Sequence, residues 1–272
     1  IMKLKKLAAV TLAAVSLGTV AAFASCGKDD AKDTLIVYTE AGFAPWEFTA
    51  KGSTDIIGVD IEIAKYIANK YDYKLDIING TFDSIVAGIS ENNALGIAGI
   101  SWKASRAEAV EYSEFYYGGA FQAVVYLKSA APALTEDNDF AISNFDGAKV
   151  VYQTGTTSQM TIEENEASWK IESKQDFTQV AAALQQMKDT ANTYLIVDSQ
   201  VAAQLVAENS SCAYSTIEGV EAESYGVVAK KGNTALIEKV NAALNELLAK
   251  GDDGKSQIDK WLEQYSAIEP AE

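Results

Sequence analysis

From residue 34 onward, apolar positions follow two alternating rhythms. Short, near-continuous apolar runs give way to longer stretches in which apolar residues recur every three or four positions. The first rhythm marks strands buried on both faces and the second marks amphipathic helices. The alternation predicts α/β architecture with sheets covered on both sides. Residues 34–39 form an expected strand, ended by Glu40 and the turn around Pro45. Asp60 is placed to cap a helix with Ile61, Ala64, Ala68 and Tyr71 on one face. Residues 73–78 read as a second strand, Phe82 opens a helix, and residues 95–98 read as a short buried strand that Gly99 turns sharply. Ser105 with Glu108 fits a capping box, which puts Arg106 in the first turn of a further helix.

Residues 121–127 cross away from this unit, and 130–144 are richer in Ala, Asp and Asn and poor in large apolar side chains. A second unit follows with the same grammar. Residues 148–152 are a strand, the polar turn from Gln153 to Ser158 leads into a helix, and Phe177, Val180, Leu184 and Met187 give another helical face. Residues 193–197 form a strand that delivers Asp198 to its carboxyl end, and 225–229 form a return strand. Helices at 233–250, stopped by Gly251, and 255–265 finish the chain. The expected division is a first lobe of 34–127 plus 226–272 and a second lobe of 128–225. Ligands of open α/β sheets bind beyond the carboxyl ends of strands, so two facing lobes would enclose a cleft.

The residues before 34 change the setting. Lys3, Lys5 and Lys6 precede an apolar, alanine-rich stretch, which marks 1–25 as an export signal. Residues 23–27, Phe-Ala-Ser-Cys-Gly, resemble a lipobox whose Cys26 would carry lipid, with 26–33 as a short charged tether. Ala22-Phe23-Ala24 also fits an ordinary cleavage site, but the charged tether after Cys26-Gly27 favours the lipid-anchored form. An exported protein is expected, held by lipid on the outer face of the cell membrane or in the periplasm. About 240 residues remain, and removing the three leader lysines takes the net charge from −16 to −19. That surface repels nucleic acid and anionic headgroups, so neither is an expected partner.

Histidine is absent, which removes Ser-His-Asp and Cys-His catalysis and most zinc chemistry. No metal or cofactor is expected. Arg106 stands out, because a cation near the positive end of a helix calls for an anion beside it, and a guanidinium forks naturally onto a carboxylate. A surface arginine paired with Glu108 or Glu111 is the plainer reading.

The chain resembles the extracellular solute-binding proteins of family 3, the polar amino-acid receptors of ABC importers. The likeness runs through Thr39-Glu40, Phe43, Pro45-Trp46-Glu47-Phe48, Gly58-Val59-Asp60, Phe82-Asp83, Gly99, Ser101 and Arg106. It continues through 112–117, 145–150, Gln153-Thr154-Gly155-Thr156-Thr157 and Asp198. The resemblance implies a two-lobed periplasmic-binding-protein type II fold with the ligand between the lobes. It implies that Arg106 clamps a ligand α-carboxylate, helped by Ser101 and by the backbone N–H of Thr157 across the cleft, with Thr156 also among the ligand-binding residues. Asp198, with Gly99 and Ser101, would take the α-ammonium; Phe43 and Phe82 would sandwich the side chain; Glu40 and Gln153 would read its end. The implied partners are a free L-amino acid and a membrane permease, with the receptor itself a monomer.

Ala104 replaces a proline common in the family, Trp102 a smaller aliphatic residue, and Leu95 and Thr193 stand where Asp usually begins a strand. Phe43 and Phe82 also fit ordinary core positions, and Asp198 an ordinary N-cap. An enzyme on the same scaffold, a dehydratase of prephenate-like acids, would rely on Glu40 or Asp198. A sensor module is the third reading.

Overall fold

The computed structural model describes residues 33–271; Cys26, the leader and all but the last residue of the tether lie outside them. Two five-stranded sheets organise the chain. In the first, the order is Lys74–Asn79, Thr34–Thr39, Ala94–Gly96, Glu223–Lys230, Val110–Ala120. In the second it is Ser173–Phe177, Lys149–Gln153, Thr193–Asp198, Gln122–Leu127, Cys212–Thr216. Each sheet has three parallel strands followed by two antiparallel ones. A small three-stranded sheet (Gly42–Phe43, Glu47–Thr49, Ile56–Ile57) roofs one end of the first.

Helices cover both faces of both sheets, as near-continuous apolar strands require. Val59–Lys70, Thr234–Leu248 and Gln257–Tyr265 bury Ile63, Ile67, Val240 and Leu244 against Leu35, Val37 and Trp46 on one face of the first sheet. Phe82–Gly88 closes the other face through Ile85 and Val228. In the second lobe, Val180–Asp189 and Ser199–Glu208 pack on one face. Thr157–Trp169 and the Phe140–Phe145 segment pack on the other, with the Phe145 and Trp169 rings stacked at 4.4 Å. Among the described residues no helix is long and apolar enough to cross a membrane.

The chain passes between the sheets at different points from those expected. Gln122–Leu127 belongs to the second sheet, paired antiparallel with Thr193–Asp198, and Glu223 already belongs to the first. The crossings are therefore Phe121 and the segment from Ile217 to Ala222, not the ends of 127 and 225. Five of the six residues of the Gln122–Leu127 strand are buried, so its pattern says that it is central but not in which sheet.

Two expected caps are absent. The first helix is capped at Gly58 (φ 130°), where a Cβ would lie 2.1 Å from the Trp46 carbonyl oxygen, so only glycine allows the chain to turn there. Asp60 falls inside the first turn and is buried. Ser105 and Glu108 form no capping box, since the helix Ala104–Ala109 starts before them and Lys103 at its N-cap makes no side-chain bond. Among the described residues a capping box forms at Ser256 with Asp259.

Candidate functional site

The carboxyl ends of the parallel strands in both sheets open on one cleft. It is lined by Phe43, Phe82, Gly99, Ser101 and Arg106 from the first lobe, and by Gln153, Thr156, Thr157 and Asp198 from the second. Nine of the ten ligand residues expected from the sequence thus meet in one place.

Arg106 is buried although it is cationic. Its Nη1 donates to the Ser101 carbonyl at 2.9 Å and its Nη2 to the Gly155 carbonyl, across the cleft, at 2.6 Å. The Phe82 ring lies 5.4 Å from the guanidinium carbon, close enough for a cation–π contact. Burial lowers its affinity for the proton, and the nearby Tyr112 and Glu223 oppose that shift. The helix carrying Arg106 has only six residues, and its backbone dipole decides little here. What matters is that a planar donor with five N–H groups has carbonyl partners on two sides and still faces the cleft.

Asp198 is the opposite charge. It ends the strand Thr193–Asp198 and caps the following helix, Oδ1 accepting the Gln200 N–H at 2.8 Å. Cap and cleft positions coincide in one residue. Burial raises the carboxyl to about 7, against the opposing influence of the Tyr225 hydroxyl and the Gln200 N–H.

Beneath the Gly99 turn lies a second layer that the sequence reading missed. The Asp60 carboxylate accepts the Gly99 N–H at 2.7 Å and the Tyr116 hydroxyl at 2.9 Å, and burial raises it to about 6. Glu47 is buried beside it and held well above the usual carboxylate range by that burial, then by the Asp60 charge. Asp60 fixes the loop that presents Ser101 and Arg106. The missed signal was its place in an otherwise apolar helix face.

Across the cleft, Thr156 caps the helix Thr157–Trp169 and donates to the Gln153 carbonyl at 2.7 Å. The Thr157 hydroxyl donates to Glu223 at 2.8 Å and accepts from Gln122 at 3.0 Å. Gln122 and Ser158 also line the cleft, and neither is singled out by the sequence reading. Gly155 approaches the first lobe closely: at φ +77° a Cβ there would lie 2.8 Å from the Asp83 Cβ.

Glu40 is the exception among the ten. It stands behind the lining, buried and raised by that burial, with the Gln153 and Gln179 side chains pulling the other way. Trp102 lies outside the cleft altogether. It is 46% exposed and shares an outer groove with Phe115 and Trp169, so it does not shorten the ligand space.

Two α/β lobes, joined by two crossings and enclosing a cleft with a buried arginine and a buried aspartate in its lining, define a two-lobed binding protein. The chain belongs to the bacterial extracellular solute-binding proteins, family 3, whose model matches residues 35–264. It is a solute-binding protein of a transporter rather than an enzyme. The arginine-binding extracellular protein ArtP of Bacillus subtilis is 24% identical over 94% of each chain. The L-cystine-binding protein TcyA of the same organism is 26% identical over 92% of this chain and 96% of its own. An ancestral arginine-binding protein, solved with arginine bound, superposes with a TM-score of 0.74 at 28% identity, covering 86% of this chain and 99% of that one.

Proposed function

We propose that the protein captures a free polar or basic L-amino acid in the cleft between its lobes and hands it to an ABC permease. One observation carries this reading: a buried cation, Arg106, and a buried carboxylate, Asp198, line the same cleft from opposite lobes. An isolated buried charge is costly, and a zwitterion supplies the missing partner of each. The ligand α-carboxylate meets Arg106 and the free N–H groups at the start of the helix Thr157–Trp169, where the backbone favours anions. The α-ammonium meets Asp198, Gly99 and Ser101. Phe43 and Phe82 flank the methylenes, and Gln153, with Glu40 behind it, faces the end of the side chain.

The ligands named for the relatives, arginine and cystine, fall within this range, and Trp102 lies outside the cleft. In the same reading the receptor is a monomer attached through Cys26. Isothermal titration against the twenty amino acids tests the assignment: tight binding of a basic or neutral polar amino acid is expected. Binding confined to acidic ones would overturn it.

A further inference from the structure

Glu223 opens the return strand at the crossing between lobes, paired with Ala120 at the end of the outward one. It is buried, yet lies outside the ten residues expected to hold ligand. Its Oε2 accepts from the Thr157 hydroxyl at 2.8 Å, and its Oε1 lies 3.6 Å from the Lys103 ammonium. Lys103 immediately precedes the helix that carries Arg106. Thr157 opens the helix whose N–H groups face the cleft. Beyond Thr157 the chain of bonds continues: Gln122 Nε2 donates to the Thr157 hydroxyl at 3.0 Å, and the Ser158 hydroxyl donates to Gln122 Oε1 at 2.6 Å. One carboxylate on the hinge therefore holds both halves of the proposed carboxylate-binding site.

A threonine hydroxyl has one hydrogen, and here it goes to Glu223. Thr157 can then offer a ligand only its backbone N–H, and the direction of that N–H depends on where Glu223 holds the helix start. From this geometry we infer that Glu223 is a positioning residue: it clasps the lobes at the hinge and sets Thr157 and Arg106 opposite each other. The inference rests on the proposed reading of the cleft as an amino-acid site.

The test is a double-mutant cycle of Glu223→Ala with Thr157→Val, with Glu223→Gln as the conservative variant and L-arginine as the probe. Glu223→Ala leaves a buried hydroxyl and Lys103 without their acceptor, so affinity should fall roughly tenfold or more, mainly through faster dissociation. Glu223→Gln keeps an acceptor oxygen for Thr157 and should stay within about threefold of the wild type. On the Thr157→Val background only the Lys103 contact remains to be lost, so Glu223→Ala should cost clearly less than it does in the wild type. Glu223 also lies near Asp198, together with Tyr225 and Tyr117, and its charge opposes Asp198 ionisation. The pH at which binding is half lost should therefore move down in Glu223→Gln, which a purely structural role would not produce.

Multiplying losses in the double variant, wild-type affinity in Glu223→Ala, an equally weak Glu223→Gln, or an unmoved pH profile would each overturn the clasp. If L-arginine and the other amino acids fail to bind the wild type, the functional reading fails by itself. The same cycle is then read on the thermal midpoint, where additive losses would overturn the clasp and coupled ones support it.

Discussion

Arg106 reaches across the cleft: its Nη2 donates to the Gly155 carbonyl at 2.6 Å while its Nη1 holds the Ser101 carbonyl of its own lobe. One guanidinium thus ties the two lobes together at the place where a ligand carboxylate is proposed to bind. Removing it should affect binding far more than folding, since its desolvation cost disappears along with its two carbonyl bonds. Losing one partner of a buried, hydrogen-bonded charge pair costs about 2–5 kcal/mol, roughly 30-fold to several-thousand-fold in Kd. Arg106→Ala and Asp198→Asn should both weaken amino-acid binding on that scale, read by titration calorimetry. The apo thermal midpoint should change little. Wild-type titration by either variant would remove that residue from the site.

The pH dependence follows from carboxyls raised by burial. Asp198 at about 7, Asp60 at about 6, and Glu40 and Glu47, both raised, stay protonated in the fold at a pH where the unfolded chain has already released those protons. Their contribution to stability is complete below about pH 4 and is lost as pH rises through the folded values. Between about pH 5 and 8 the ligand-free protein should therefore become less stable, as followed by thermal midpoint. Ligand acts in the opposite sense at Asp198, because an ammonium favours the ionised carboxylate. The midpoint rise produced by a saturating amino acid should be larger at pH 8 than at pH 5.5. Equal rises would mean that Asp198 does not meet the ammonium.

Closure can be blocked at one atom. A Cβ on Gly155 would meet Asp83 of the opposite lobe, and the φ of +77° is itself strained for any other residue. Gly155→Ala should leave each lobe folded and hold the two slightly apart. The expected result is at least tenfold weaker binding and, in small-angle scattering, a smaller ligand-induced decrease in radius of gyration than in wild type. An unchanged decrease would show that closure does not bring Gly155 against Asp83.

Side-chain preference turns on Glu40 and Gln153. Glu40→Gln should sharply weaken a cationic ligand and leave a neutral amide ligand within about tenfold. Trp102→Ala should leave affinity within about threefold, since its ring lies in the outer groove. Tight binding of glutamate by the wild type would overturn this account, because a second carboxylate near Glu40 would meet like charge.

Much of this was legible in the chain itself. Alternation of apolar runs with helical periodicity is local, and it fixes strands such as Thr34–Thr39 and Thr193–Asp198 and helices such as Thr234–Leu248. Two of the residues brought to the cleft were legible in the same way: Asp198 ends an expected strand, where an open α/β sheet exposes its working edge, and Arg106 is a cation in the first turn of an expected helix. The others, Gln153 among them, were expected only through the resemblance to the family. Polar or short strands escaped: Ser173–Phe177 carries four exposed residues out of five, so no hydrophobic period marks it. Three further matters depended on tertiary structure. Which sheet took Gln122–Leu127 was decided by hydrogen bonding to Thr193–Asp198, since a central strand looks the same from either side. Asp60 became a support for Gly99 rather than a cap because Gly58 alone fits beneath the Trp46 carbonyl and starts the helix earlier. Glu223 joined Lys103 to Thr157 through contacts separated by 120 and 66 residues of chain, a distance over which no local pattern carries information.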